Sequence, residues 1–435
     1  MAVCRVENDP SQKESESSQI MDPRYSRRRR RQWNAPSPGS IVTAAVIGYG
    51  AYKLANWAWS RINEVSDQDG TEGRERERSA RDAVEPAPQM WKMRRQRMTR
   101  CRDETVKALE GFLVTLRKTV EEKTSTVKET QALKRLRAER NSMDETLRRQ
   151  EEKELWDIIK VRSVTRVMVT AYAHTILFLV LNVQVNLLGG RLFEEQMQNT
   201  VSSAASMVSN DTVASDRMGS YQASHKFVLM HTYEYFFERG LVALISTVER
   251  AVEEVLADWN VLDPSYLHMS REGFEDAIGK IRSLVEEGRS SRPTARQGRP
   301  RSLLRFLMPP SASLEVTIDD ELASSILDET WDLLESPVVA DAQKDCLNTT
   351  FEMMRDQYWG SIFESDSTAV DESAALPWAT KPLATVLTKL KQTSNSFYKT
   401  SAVDTADSQR MTVDSYCSMM DALPSVLEMG DVSFN

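Results

Sequence analysis

Cysteine and histidine are scarce in this chain, and their spacing excludes most of the sites that depend on them. The 435 residues include four histidines and four cysteines, at Cys4, Cys101, Cys346 and Cys417. No two cysteines have CxxC spacing, and no HExxH, GxSxG or phosphate-loop motif occurs. We therefore expect no disulfide scaffold, no metal site, no cofactor and no enzymatic activity.

Proline is also missing, over the long stretch of residues 89–263. Proline interrupts helices, so its absence favours long ones. Apolar residues rarely alternate with polar ones along the chain, which argues against strands. The first 35 residues have no apolar run, so we expect no secretory signal peptide. A net charge of −8 argues against general nucleic-acid binding.

Apolar residues recur at helical spacing in several places, and this pattern predicts an all-α protein, an elongated bundle of long helices. The stripes are Val106, Leu109, Leu113, Leu116 and Val120; Leu133 and Leu136; Leu241, Leu244, Ile245, Val248, Val252, Val255 and Trp259; Phe274, Ile278, Ile281 and Val285; Leu322, Ile326 and Leu334; and Leu383, Val386, Leu387 and Leu390. Loops are expected at 197–224, 287–302, 308–318 and 363–377.

The N-terminal region divides into three parts before the helical domain. We expect a disordered basic tail over 1–40, a membrane anchor over 41–59, a charged linker over 60–88 and a helical domain over 89–435. The anchor has an uncharged stretch followed by tryptophans, which are typical of the membrane interface. Its main residues are Ile41, Val42, Val46, Ile47, Trp57 and Trp59. An amphipathic or buried helix is the alternative interpretation of this segment.

A second apolar segment, residues 168–190, contains no charged side chain. It is long enough to cross a bilayer, which needs about 20 apolar residues. Six of its side chains are polar, however, and a single anchoring span rarely carries so many. A buried central helix of a soluble bundle has the same composition. Two other interpretations stay open: a polytopic membrane protein with spans at 41–59 and 167–190, and a coiled-coil organelle tether built on the charged run 121–154.

The residues around this segment form a recognisable series of motifs. They are Trp156, Asp157 and Lys160; then Ser163, Thr165 and Arg166; and, after the apolar helix, Val183, Gln184, Asn186, Gly189 and Gly190. This series resembles the signature helix of the peroxin-3 family of peroxisomal membrane docking proteins, and the resemblance extends over most of residues 100–395. It implies that 168–190 is buried in a cytosolic helical domain, and that a short N-terminal span attaches the protein to a peroxisomal or peroxisome-like membrane.

The resemblance also implies a partner and a site. Family members receive an amphipathic helix of peroxin-19, the soluble chaperone of peroxisomal membrane-protein cargo, in a groove. The matching positions here are Trp156, Leu133, Lys134, Leu136, Ile159 and Lys160. The partners expected are peroxin-19, its cargo and membrane lipid, without nucleic acid. This chain departs from the family in its 40-residue tail and in a charged insertion at 137–154.

Overall fold

The computed structural model describes residues 86–139, 144–205, 211–266, 268–287, 303–308, 321–363, 380–396 and 412–434. Within these ranges the chain is helical, without a strand, apart from one isolated bridge between Met269 and Lys381. The predicted all-α class is therefore confirmed. The predicted tail, the membrane anchor and nearly all of the charged linker lie outside the described residues.

Each predicted apolar stripe falls mainly in a helix, and further helices form where no stripe was predicted. The helices are α1 Pro86–Lys123, α2 Val127–Ala138, α3 Glu145–Ala205, α4 Asp211–Tyr235, α5 Leu241–Val255, α6 Arg271–Glu287, α7 Glu321–Leu334, α8 Pro337–Met353, α9 Gly360–Phe363, α10 Leu383–Ser396, α11 Val413–Asp421 and α12 Pro424–Phe434. Wider π-helical turns join α4 to α5 (Phe236–Gly240) and α8 to α9 (Met354–Trp359), and short 3-10 turns lie at Pro264–Tyr266 and Leu303–Phe306.

The 61-residue helix α3 is the centre of the fold, with α1, α2, α5, α7, α8, α10 and α12 packed against it. Helix α1 runs antiparallel to it. At one end of this pair, Arg166 donates from Nε to Thr124 Oγ1 (2.9 Å) and from Nη2 to the Thr124 carbonyl (2.8 Å). At the other end, Cys101 lies against Gly189. The N-terminal end of α1 therefore lies beside the C-terminal half of α3.

The uncharged segment 168–190 is buried within the domain, with only Val185 partly exposed. Among the described residues, α3 is the one helix whose length and composition would let it cross a membrane, and its most apolar window is fully covered by protein. Five of its six polar side chains form hydrogen bonds within the domain. Asn186 donates to Asn182 (2.6 Å), Gln184 accepts from Tyr233 (2.8 Å), and Thr175 shares hydrogen bonds with Thr350 and Tyr416. The prediction of a buried spine is confirmed, and the second span of the polytopic interpretation is removed.

The glycine pair at the end of this segment permits close packing of the C-terminal helix. A Cβ atom at Gly190 would overlap the carbonyl oxygen of Phe434 in α12. At Gly189 it would overlap the sulfur of Cys101 in α1. Only glycine leaves room for these contacts, which explains why the motif ends with two of them.

One predicted loop is wrong. The segment 197–224 is rich in Ser, Asn, Asp and Gly, yet α3 continues to Ala205 and α4 begins at Asp211. Most of these residue types lie within about 0.7 kcal/mol of alanine in helix propensity. A helix that is already anchored by packing gains one hydrogen bond for each residue added. This gain extends α3 through the polar sequence. The other three predicted loops lie almost entirely outside the described residues.

Candidate partner-binding site

The predicted site residues lie where α2 packs along the first part of α3. We call the six residues Leu133, Lys134, Leu136, Trp156, Ile159 and Lys160 the α2–α3 junction. Arg162 fixes one end of it by donating to Glu129 (2.8 Å) and to the Ser125 carbonyl (2.9 Å). Arg137 fixes the other end with an ion pair to Glu152 (2.9 Å). The structure thus brings together two groups of residues that are at least 20 positions apart in the chain.

The three aliphatic residues of the junction face inward. Leu133, Leu136 and Ile159 are all buried. Burying a leucine or isoleucine side chain contributes about 1.5–3 kcal/mol. They therefore hold α2 against α3, while Lys134 lies exposed on the outer side of α2.

Trp156 lies at the border between this buried layer and solvent. Its ring is half-buried and packs against the hydrophobic core. The Arg137 guanidinium lies 5.9 Å from the ring centroid, within the range of a cation–π contact. The indole Nε1 is buried, and among the described residues no acceptor lies within hydrogen-bonding distance of it. Trp331 and Trp359 share this feature, so the N–H group does not distinguish Trp156 as a candidate binding residue; its partial exposure at the edge of α2 does.

Lys160 is directed into the domain. Its side chain is 3% exposed, and its Nζ donates to Asp157 Oδ1 (2.8 Å) and to the Trp259 carbonyl (2.6 Å). These bonds tie α3 to the segment after α5. Lys160 is therefore placed to orient this part of α3, whereas Lys134 and Arg137 supply the exposed positive charge.

Two exposed apolar residues on α3 were not among the predicted site residues. Leu147 is 57% and Ile158 40% exposed, and their separation of 11 residues places them on one face of the helix, away from α2. The sequence carried a signal for Ile158, since it is apolar and adjoins Ile159, but Ile159 is buried and Ile158 is exposed. Leu147 lies within the charged insertion, where the predicted site did not extend.

The two buried histidines are placed for structure rather than for chemistry. His174 stacks on Tyr416 with ring centroids 4.1 Å apart, and burial lowers its pKa to about 3. Burial lowers the pKa of His225 to about 4. Among the described residues, no group of three or more His, Cys, Asp and Glu side chains is arranged to hold a metal ion.

Comparison with known proteins identifies the family of the chain. The model of the family described as Peroxin-3 matches residues 71–433, which is most of the chain. The chain belongs to the peroxin-3 family. Peroxisomal biogenesis factor 3 of Homo sapiens is 26% identical over 211 residues, which cover 47% of this chain and 52% of that protein. The same-named protein of Rattus norvegicus is 26% identical over 209 residues, covering 47% and 51% respectively.

These similarities have a defined extent. The match spans about half the length of the curated relatives. The family is one of peroxisome biogenesis factors and not a known enzyme family. The anchor residues Ile41, Val42, Val46, Ile47, Trp57 and Trp59 lie outside the described residues, so the membrane attachment implied by the resemblance stays a prediction.

Proposed function

We propose that this protein is a membrane-anchored docking receptor that binds peroxin-19 loaded with peroxisomal membrane-protein cargo. Membership of the peroxin-3 family implies a role in peroxisome biogenesis. In the proposal, residues 41–59 cross the peroxisomal membrane once and the helical domain faces the cytosol. The α2–α3 junction receives an amphipathic helix of peroxin-19.

The observation that carries the proposal is the environment of Trp156. Its aliphatic neighbours are buried, but part of its ring still faces solvent at the edge of α2. A half-buried aromatic ring is already held in position, so it can contact a partner helix through its exposed apolar surface with little loss of side-chain entropy on binding. Tryptophan is enriched among the residues that dominate binding energy.

Exposed cations on α2 suit an amphipathic helix with acidic flanks, and one of them, Arg137, is already paired with Glu152. Lys134 is exposed, and the Arg137 side chain is 55% exposed while its guanidinium lies over the Trp156 ring. Charges at the rim of an interface mainly increase the association rate and specificity. Leu133 and Leu136 are already covered, so we expect them to support the surface by holding α2 in place.

The test is a calorimetric titration of the chain with purified peroxin-19. Loss of a tryptophan hot spot removes at least about 2 kcal/mol of binding free energy, which corresponds to about thirtyfold in dissociation constant. We expect this loss for Trp156→Ala. Trp156→Phe should lose less affinity than Trp156→Ala, because it keeps a six-membered aromatic ring and loses only the five-membered ring of the indole with its N–H group.

Trp331→Ala provides the matched control. Trp331 in α7 is also half-buried, packs against the core and has a buried Nε1 without an acceptor among the described residues. It lies far from α2, so its loss should lower the melting temperature and leave the affinity of the folded fraction unchanged. Full affinity in a folded Trp156→Ala protein would remove peroxin-19 from this site. Lys134→Ala should weaken binding less, with an effect that shrinks as salt rises.

A further inference from the structure

The first four turns of α1 carry a dense positive charge. Residues 86–102 include six lysines and arginines and no aspartate or glutamate: Lys92, Arg94, Arg95, Arg97, Arg100 and Arg102. The helix itself gives no reason for this composition, since its N-terminal end favours acidic side chains. Two of the cations have internal ion pairs, Arg102 with Asp421 and Arg94 with Asp431. Lys92 and Arg95 are exposed.

A large apolar side chain lies among these cations. Trp91 is 64% exposed, the most of the exposed large apolar residues in the described part of the chain, and Met90 beside it is also exposed. Arg94 lies between two aromatic rings, with its guanidinium 5.7 Å from the Trp91 centroid and 5.6 Å from that of Phe434. This contact fixes Arg94 against α12 and leaves the rest of the indole uncovered. Trp91 and Arg95 are four residues apart and therefore share a face of α1.

We propose that this surface, Met90, Trp91, Lys92 and Arg95 at the start of α1, is a second membrane contact that rests on an anionic lipid surface. It would act in addition to the predicted anchor at 41–59 and therefore rests on the membrane attachment in the proposed function. Tryptophan favours the level of the lipid headgroups, and lysine and arginine are attracted to anionic lipid. An exposed indole flanked by exposed cations supplies both interactions in one place.

The position in the chain favours a lipid partner over a protein. Pro86 is the described residue that lies closest in sequence to the predicted anchor, and the 26 residues 60–85 separate the two. A fully extended chain of that length spans at most about 90 Å. Membrane anchoring would therefore keep this surface within about 90 Å of the anchor, and along the chain it is the described surface that follows the anchor most closely. The α2–α3 junction is a different surface. The first part of α1 packs beside Gly189, where Cys101 contacts α3, and Trp156 lies 33 residues, or about 50 Å, away from Gly189 along α3.

The contact can be tested by photo-cross-linking with the full-length chain in phosphatidylcholine vesicles, with and without phosphatidylserine. A benzoylphenylalanine is placed at position 91, or at position 114 as a control. Val114 is on the same helix and equally exposed at 63%, but about 35 Å further along α1. We call the equilibrium between the lipid-bound and the free state of this surface the contact equilibrium. Each cation near an anionic membrane shifts it about fivefold toward the bound state. We expect lipid adducts at position 91 that increase at least about fivefold with phosphatidylserine, and few adducts at position 114.

The charge-reversed variant Lys92→Glu/Arg95→Glu should lose at least about 25-fold in this contact equilibrium, because two attracted cations are removed and two repelled carboxylates are added. Its melting temperature reports whether the fold is kept. Equal lipid adducts at positions 91 and 114, equal adducts with and without phosphatidylserine, or a cross-link to a second copy of the chain would each overturn the proposal. Vesicle flotation of the same samples measures the anchor, and peroxin-19 titration measures the junction. A chain that floats and binds peroxin-19 but gives no lipid adduct at position 91 would refute this inference alone.

Discussion

Helix α3 has two consecutive parts whose surroundings differ sharply. In residues 145–162 only Ile159 and Lys160 are buried, whereas in residues 163–192 every residue except Val185 and Arg191 is buried. The backbone is nevertheless one unbroken helix. In the exposed part, pairs one turn apart support the helix, such as Arg149 with Glu145 at 2.7 Å. The helix therefore forms in both parts, whether or not they are buried. Residues 163–192 stabilise the domain, and residues 145–162 leave surface that a partner can contact.

The largest expected effect is in the buried part. Leu177 is completely buried, and Leu→Ala at such a site removes about 2–5 kcal/mol of unfolding free energy. The matched control is Leu147→Ala in the exposed part, which should change stability by less than about 0.5 kcal/mol. Urea unfolding followed by circular dichroism measures both. If the two variants lost similar amounts of unfolding free energy, the two parts of α3 would not differ in their contribution to stability.

Acid should weaken the buried part through His174. Its pKa in the folded protein, about 3, lies below the ordinary value of 6.5, so the neutral imidazole is favoured by the fold. The associated stability is complete above pH 6.5 and is lost as the pH falls towards 3. At pH 5 the loss is about 2 kcal/mol. His174→Phe keeps a ring against Tyr416 and removes the titrating group.

The measurement is urea unfolding at pH 7 and pH 5. The decrease in unfolding free energy between the two should be about 2 kcal/mol smaller in His174→Phe than in the unchanged chain. His225 also has a lowered pKa, but it titrates in both proteins and cancels in the difference. An identical pH dependence in the two proteins would show that the fold does not lower the pKa of His174.

The difference between the two parts also explains what the sequence predicted well. Packing imposes a strong pattern, so the stripes Leu109 to Val120 and Leu241 to Val252 identified α1 and α5, and an uncharged run rich in polar amides and hydroxyls identified a buried spine. The pairing of those polar groups, such as Gln184 with Tyr233, joins residues 49 positions apart. No local pattern specifies such a pair, so its geometry required the structure.

The sequence predicted less well where local preference and tertiary position disagree. Ser, Asn and Gly within 197–224 favour a loop, but the helices on either side continue into this segment. Lys160 belongs to a motif beside a charged stretch, yet its ammonium group is directed inward to the Trp259 carbonyl. Whether a long side chain turns inward or outward depends on the acceptors that other helices bring to it. For Lys160 the acceptor is the carbonyl of Trp259, which lies 99 positions away in the chain.

The smallest expected effect concerns the exposed part of α3 and its contact with α2. Arg137 donates from Nε and Nη2 to one oxygen of Glu152, at 3.1 and 2.9 Å; the arginine side chain is 55% exposed and the glutamate side chain 12%. Exposed ion pairs contribute about 0.2–1 kcal/mol. A double-mutant cycle of Arg137→Ala and Glu152→Ala should give a coupling in this range at low salt, and less at high salt. A coupling of several kcal/mol between Arg137 and Glu152 would show that the junction is shielded from solvent like the buried segment 168–190.

A partner helix would then have to displace α2 before it reached Trp156. A small, salt-sensitive coupling combined with a large effect of Trp156→Ala on binding would instead show that this part of α3 contributes little to stability because its surface is left for a partner to cover.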